Sequence, residues 1–183
     1  MTRASEALSA DERRVHVVQG EYFYSESPKV VLTTVLGSCV AACFRDPVVG
    51  VGGMNHFLLP GDSSSDDLRY GVNAMELLVN ALLRLGARRD RLEVKLFGGA
   101  RVVRGLSDVG RQNAAFAEQY LKDEGLNYLG GSVGGDQPRR IQFWPVSGRV
   151  RQMQLPADEA PSVERQPPVR RAPVQDDGAV EFF

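Results

Sequence analysis

The chain has 183 residues, 43% of them hydrophobic and 25% charged, and a formal net charge of −1. This length predicts one domain, with or without a tail. The near-zero charge gives no electrostatic reason to expect nucleic acid or an anionic membrane as a partner. No apolar run approaches the roughly 20 residues that a membrane-spanning helix needs, and the polar start lacks the apolar segment of a signal peptide. We therefore expect a cytoplasmic protein with reduced thiols.

The first half of the chain is dominated by strand signals. Residues 1–14 are charged, lack core or turn signals, and are predicted to form a flexible leader. Runs of β-branched and aromatic residues then predict strands, with Asp46-Pro47 as a turn signal between the last two. The predicted strands are His16–Tyr24, Val30–Leu36, Val40–Arg45 and Val51–Leu59.

The second half contains both helices. Apolar residues at three- and four-residue steps predict one helix over Tyr70–Leu85, closed by Gly86. A second helix is predicted over Arg111–Glu124, with Gly125 as its stop. Further strands are predicted at Arg91–Phe97, Leu126–Leu129, Arg140–Trp144 and Arg149–Leu155. Two helices and seven or eight strands, many joined by hairpins, favour an α+β layered sandwich with mixed or mainly antiparallel sheets.

The composition changes near residue 156. Half of the ten prolines follow residue 155, and large apolar side chains are scarce before the terminal Val180-Glu181-Phe182-Phe183. Such a segment buries too little apolar surface to offset the entropy of ordering it. We therefore predict a domain over residues 15–155 and a flexible tail over residues 156–183, whose terminal aromatics are a candidate docking motif.

The two cysteines, Cys39 and Cys43, are predicted to stay unpaired. On one strand their Cα atoms lie about 13 Å apart at roughly 3.3 Å per residue, whereas a disulfide needs less than about 7 Å. Their spacing, without a nearby pair of histidines, also makes a poor zinc site. No metal or organic cofactor is expected, and at least one thiol is either a nucleophile or a small buried apolar group.

The predicted hairpin around Asp46-Pro47 brings Cys39 towards a histidine. If Arg45 pairs with residue 50 or 51, Cys39 lies opposite His56 or Phe57, and directly opposed Cβ atoms are about 4.5–5.5 Å apart. An imidazole beside a thiol shifts it towards the reactive thiolate. The pair is a candidate nucleophile and base, although a buried cysteine and a structural histidine are the simpler interpretation of each residue alone.

Two further parts of a catalytic site are predicted next to this pair. The break at Gly37-Ser38 places backbone N–H groups at the mouth of a strand, where such donors stabilise an oxyanion. Thr33 and Thr34 on the preceding strand offer a hydroxyl or carbonyl to orient the imidazole.

Three other patterns are given structural interpretations. Cys39 to Arg45 has the C-x5-R spacing of a phosphatase loop, but the apolar interior Val-Ala-Ala-Cys-Phe favours a strand. Gly98-Gly99 is interpreted as a tight turn, because no complete phosphate-binding motif surrounds it. Asn113 is interpreted as a helix cap.

The segments TVLGSCVAACFRDP (34–47) and GVGGMNHFLLP (50–60) resemble the CheD family of chemoreceptor glutamine deamidases. KLFGGA (95–100) and PRRIQFWPVSGRV (138–150) extend the resemblance, which covers approximately residues 16–152 in the same order. It implies a layered α/β sandwich related to glutamine-deamidating toxins.

The resemblance also implies roles for single residues. Cys39 matches the nucleophile, His56 its base, and Thr33, six positions before the cysteine, the third catalytic residue. Gly37, Ser38 and Asn55 are candidates for substrate or oxyanion contacts. The implied substrates are glutamines on the cytoplasmic helices of methyl-accepting chemotaxis receptors, and some members also bind a CheC-type phosphatase.

Two other functions are compatible with the same residues. A non-catalytic module that regulates a CheC-type phosphatase would keep its binding after loss of Cys39. A cysteine peptidase or transglutaminase would instead cleave peptides or incorporate amines.

Overall fold

The computed structural model describes residues 11–59, 65–102 and 108–156. These ranges contain nine strands, two α-helices and a short 3-10 turn at Arg89–Arg91. The strands are β1 (Arg13–His16), β2 (Tyr22–Ser25), β3 (Val30–Leu36), β4 (Val40–Asp46), β5 (Val51–Phe57), β6 (Glu93–Gly98), β7 (Asn127–Val133), β8 (Arg139–Phe143) and β9 (Val150–Gln154). The helices are α1 (Ser65–Arg84) and α2 (Val109–Asp123).

The strands form two sheets. One has four strands in the order β1-β3-β8-β9, and the other has five in the order β2-β5-β4-β6-β7. The pairs β1–β3 and β6–β7 are parallel, and the remaining pairs are antiparallel. The predicted α+β class with mixed sheets is confirmed.

The five-stranded sheet is the middle of three layers. Its two faces belong to separate apolar clusters because side chains alternate between faces along each strand. The face towards the four-stranded sheet packs with Leu32, Leu36, Ile141 and Phe143. The opposite face packs against the two helices through Met75, Leu78, Leu82, Ala117 and Leu121.

The largest differences from the predicted elements lie near the N-terminus. The single strand predicted over His16–Tyr24 is divided into β1 and β2 by a turn in which Gly20 has a φ of 85°. β1 begins at Arg13, inside the predicted leader, because residues 13–16 pair in parallel with β3. The rest of that leader, residues 1–10, and the predicted tail from residue 157 lie outside the described residues.

The register predicted for the β4–β5 hairpin is wrong by a small step. Arg45 pairs with Gly52, not with residue 50 or 51, and Asp46 pairs with Val51. The turn therefore holds residues 47–50. The Asp46 side chain stabilises this turn by accepting from the Val48 N–H at 2.9 Å, and its carbonyl accepts from the Gly50 N–H at 3.0 Å.

The Asp46 carboxylate also joins the hairpin to the segment that leads into β6. It is fully buried and accepts from the Arg88 N–H and from Nε and Nη2 of Arg91, at 2.8–2.9 Å. Burial alone would raise the pKa of Asp46, but these donors hold the pKa below its ordinary value. The stabilisation is therefore present at neutral pH and is lost as the pH falls through the lowered pKa.

Replacing Asp46 with Ala should destabilise the fold on the order of 3 kcal/mol, because the Arg91 charge and several N–H groups lose their acceptor. The free energy of unfolding in urea at neutral pH measures the loss. The control is Asp90→Ala, which removes an exposed pair with Arg88 and should cost less than about 1 kcal/mol. Equal losses in the two variants would contradict a stabilising role for Asp46.

Candidate active site

Cys39 lies in the connection between β3 and β4. Backbone carbonyl groups of this connection accept hydrogen bonds from the segment that follows β6. The carbonyls of Gly37 and Cys39 accept from the N–H groups of Ala100 and Gly99 at 2.8 and 2.7 Å. Gly98, with a φ of 105°, comes so close that a Cβ there would lie 2.1 Å from the Cys39 carbonyl oxygen. The structure ends β6 at Gly98 and shows no hydrogen-bonded turn at the described residues after it, so the tight-turn interpretation stays a prediction. The two glycines are part of the support for the cysteine.

Asn113 links this connection to the end of β5. Its Nδ2 donates to the Ser38 carbonyl at 2.9 Å, and its Oδ1 accepts from the Leu59 N–H at 2.9 Å. The side chain is fully buried. The helix-cap interpretation of Asn113 is wrong, because α2 begins earlier and its N-cap is Asp108. A single carboxamide thus fixes the residue before Cys39 relative to the strand that carries His56.

Cys39 and His56 lie on the same face of the five-stranded sheet. His56 pairs directly with Ala41, and Cys39 lies two residues before Ala41, one residue outside β4. A residue in this position is diagonal to His56 rather than directly opposite it, and diagonal neighbours in a sheet have Cα atoms about 7–8 Å apart. The thiol is fully buried and His56 is only 5% exposed. The observed register therefore keeps both groups in the space between the sheets.

The surroundings of His56 select one neutral tautomer. Its Nδ1 lies 2.9 Å from Thr34 Oγ1 and 3.2 Å from the Val17 carbonyl oxygen. Because a carbonyl only accepts, Nδ1 carries the proton, and the lone pair is on Nε2. Nε2 is buried and has no hydrogen-bond partner among the described residues. Burial lowers the pKa of His56 to about 4, and the Val17 carbonyl opposes the shift. At neutral pH the ring is an uncharged base.

The hydroxyl beside this imidazole belongs to Thr34, not to Thr33. Alternation along β3 turns Thr34 inwards, where it is 1% exposed, and turns Thr33 to the outer face of the four-stranded sheet. There the Thr33 hydroxyl donates to the Ile141 carbonyl at 2.9 Å and lines a groove with His16 and Arg140. The hydroxyl contact with the imidazole is therefore made by Thr34, whereas the catalytic role that the resemblance implies for Thr33 stays a prediction.

Asn55 does not lie on the thiol face. Asn55 and His56 are consecutive residues of β5, so their side chains point to opposite faces of the sheet, and that of Asn55 points towards the helices. Its Oδ1 accepts from the Ala42 N–H, and its Nδ2 donates to the Ala74 carbonyl, each at 3.0 Å. The predicted substrate or oxyanion contact for Asn55 is corrected to a buried link between β4, β5 and α1.

The second cysteine is separate from this site's chemistry. Cys43 is buried and unpaired, as predicted for both cysteines. Burial raises the pKa of its thiol, and the charge of Lys95 only partly opposes the shift. Cys43 is therefore a neutral thiol in the inter-sheet core.

Sequence reasoning missed Gln19. This side chain comes from the turn between β1 and β2, and its Oε1 accepts from the Cys39 thiol at 3.5 Å. The glycine that follows it marks the turn, but no spacing in the sequence connects the turn to the cysteine.

Among the described residues, no group of three or more His, Cys, Asp or Glu side chains is arranged to hold a metal ion. In the same part of the chain, neither helix is long and apolar enough to cross a membrane.

A buried thiol in the connection before β4 and a neutral imidazole on β5 define a candidate cysteine-dependent site in an α+β sandwich. A family model described as "CheD chemotactic sensory transduction" matches residues 58–154. A Rhizobium rhizogenes protein named "Probable chemoreceptor glutamine deamidase CheD" is 56% identical over 184 residues, covering 96% of this chain and 99% of that protein. A Caulobacter sp. (strain K31) protein of the same name is 57% identical over 174 residues, covering 93% of each chain. The chain belongs to the CheD family, as the sequence motifs predicted.

Among solved structures, a Neisseria meningitidis protein of family DUF152 is similar at 9% identity and a TM-score of 0.45. The likeness covers 68% of this chain and 64% of that one. So distant a likeness supports no statement about function.

The depressed pKa of His56 predicts how stability depends on pH. The unfolded chain takes up a proton near the ordinary pKa of 6.5, whereas the folded chain does so only near about 4. Stability should therefore fall between pH 6.5 and about 4, by about 2 kcal/mol between pH 7.5 and 5. His56→Gln should lack this part of the pH dependence in urea unfolding. Titration of the wild-type imidazole near 6.5 by NMR would contradict the assignment.

Proposed function

We propose that this protein hydrolyses glutamine side-chain amides of chemotaxis receptors to glutamate and ammonia, with Cys39 as nucleophile and His56 as base. The observation that supports this most directly is the neutral imidazole whose buried Nε2 has no partner among the described residues. Membership of a family whose relatives are named chemoreceptor glutamine deamidases supplies the substrate class.

The first half of the reaction forms a thioester. Nε2 of His56 takes the Cys39 proton, and the thiolate attacks the carboxamide carbon of the substrate glutamine. The imidazolium then gives the proton to the amide nitrogen, and the C–N bond breaks to release ammonia. The Val17 carbonyl, close to Nδ1, stabilises the transient imidazolium and keeps the ring in place. Thr34 holds the same edge of the ring.

The second half restores the enzyme. His56 takes a proton from a water molecule, which attacks the thioester carbon, and the thiolate leaves and is reprotonated. The products are a glutamate side chain and the free thiol. A role for the backbone at Gly37 and Ser38 in receiving the oxyanion stays a prediction, which fits their position immediately before the nucleophile.

The partners of this reaction follow from the family. Chemoreceptors carry the substrate glutamines, and the reaction is proposed to take place in the cytoplasm. A CheC-type phosphatase as a second partner stays a prediction.

Cys39→Ala should abolish the gain of about one dalton per receptor glutamine, because no other group replaces the nucleophile. Intact-mass spectrometry of a receptor cytoplasmic fragment and an ammonia assay measure the loss. Cys43→Ser is the matched control and should retain activity. Full activity in Cys39→Ala would remove the mechanism, and peptide cleavage or amine incorporation by the wild type would indicate one of the other cysteine chemistries.

A pair of neighbouring variants tests the third residue. Thr34→Ala removes the hydroxyl beside His56 Nδ1 and should lower kcat roughly tenfold, the cost of a lost hydrogen bond at a catalytic group. Thr34→Ser should recover most of the rate. Thr33→Ala changes only the outer face and should stay close to the wild type. The opposite ranking of Thr33→Ala and Thr34→Ala would return the role to Thr33.

A further inference from the structure

The turn that carries Gln19 is tied to the strand that carries His56. The Gly20 N–H donates to the His56 carbonyl at 2.7 Å, and the His56 N–H donates to the Glu21 carbonyl at 3.0 Å. Within the turn, the Glu21 N–H donates to the Val18 carbonyl at 3.1 Å. These bonds fix the backbone on both sides of Gln19, so its side chain has a defined position beside the site.

The Gln19 side chain ends in the same chemical group as the proposed substrate. Its carboxamide oxygen accepts from the Cys39 thiol at 3.5 Å, which is an ordinary distance for a hydrogen bond from sulfur. A substrate glutamine must bring its own carboxamide to this sulfur before the C–S bond can form. The two carboxamides therefore compete for one position.

Gln19 contacts the thiol and is itself partly exposed to solvent. Cys39 is fully buried, whereas Gln19 is half-buried. On the other side of the turn, the Tyr70 hydroxyl lies beside Gly20, 3.8 Å from where a Cβ on that glycine would be. Burial raises the pKa of Tyr70, and the charge of a Cys39 thiolate adds to this shift. Among the described residues, Gln19 contacts the thiol directly, and Tyr70 lies on the other side of the same turn.

We propose that Gln19 is a specificity residue that covers Cys39 and occupies the position of the substrate carboxamide until a substrate glutamine displaces it. The proposal rests on the proposed function for its substrate class. A group without a carboxamide does not replace the interaction that it breaks, so the cover disfavours other reagents and other side chains.

The direct test is the rate at which 4-vinylpyridine, a thiol reagent without a carboxamide, alkylates Cys39, followed by peptide mass mapping of the full-length protein. Gln19→Ala should react roughly fivefold faster than the wild type, which corresponds to the loss of one ordinary hydrogen bond. The same variant should show a lower KM for a receptor fragment and a kcat within about a factor of two. The matched control is Gln142→Ala, a half-buried glutamine on the outer face of the four-stranded sheet, which should match the wild type.

A second variant keeps the size of the side chain and changes its charge. Gln19→Glu places a carboxylate beside the sulfur and disfavours the thiolate. The pH at which alkylation reaches half its maximum rate should therefore move upwards, with slower alkylation at neutral pH. An unchanged pH profile would show that the side chain at position 19 does not lie beside the sulfur.

Three results would overturn the proposal. Equal alkylation rates in Gln19→Ala and the wild type would show that Gln19 does not cover the thiol. A large fall in kcat in Gln19→Ala would make it a group that stabilises the transition state. A Cys39-dependent gain of about one dalton on the Gln19 peptide would make it a substrate itself. A different result would separate the two proposals. If Gln19→Ala is alkylated faster but neither it nor the wild type deamidates the receptor fragment, Gln19 still covers Cys39 and the proposed reaction is wrong.

Discussion

The two-residue period of strands β3, β4 and β5 decides which side chains reach the thiol. It places Thr34 and His56 between the sheets with Cys39, and it sends Thr33 and Asn55 to other faces. A slip of one residue in any of these strands would exchange a site residue for its neighbour. The buried Asp46 at the β4–β5 turn matters for this reason, because it fixes the register of the hairpin from the end opposite the site.

Burial gives the site its protonation states. In the space between the sheets there is little water to stabilise an imidazolium, so His56 rests as a neutral base. The same lack of water makes an isolated thiolate costly. In the proposed reaction, proton transfer from sulfur to Nε2 offsets this cost because the two opposite charges appear together. A buried nitrogen with no partner among the described residues costs stability, and such costs are expected where a reacting group must have a free lone pair.

The sequence was sufficient to predict the strands on which this arrangement depends. The run Val30–Leu36 was predicted with the bounds that the structure shows, because a continuous apolar, β-branched segment strongly favours a buried strand. The helix pattern around Met75 and Leu82 was equally clear. The register of the hairpin was not predictable to one residue, because turn length depends on side-chain hydrogen bonds such as those of Asp46. The bounds of β3 also did not show which of Thr33 and Thr34 faces the imidazole, because that depends on which face of the strand is turned towards the other sheet.

Contacts between residues far apart in the chain could not be predicted from the sequence, because they depend on how the elements pack. Asn113 lies 75 residues from Ser38. Its role follows from the start of α2 packing against Gly98-Gly99, which no local pattern encodes. Gln19 is closer in sequence, but it approaches Cys39 only because β2 adds to the edge of β5 beyond the hairpin. Motifs identify residues that resemble a family's site, whereas contacts of this kind depend on the order of strands in the sheet.

The depth of the thiol bears on which amide it can attack. A peptide bond of the main chain has backbone on both sides, and bringing it to a fully buried sulfur would bury further N–H and C=O groups that need partners. A glutamine side chain presents its amide at the end of two methylene groups, which enter an apolar space with little cost. The narrow, apolar surroundings of Cys39, formed by residues such as Leu36 and Phe97, thus favour hydrolysis of a side-chain amide over cleavage of the chain.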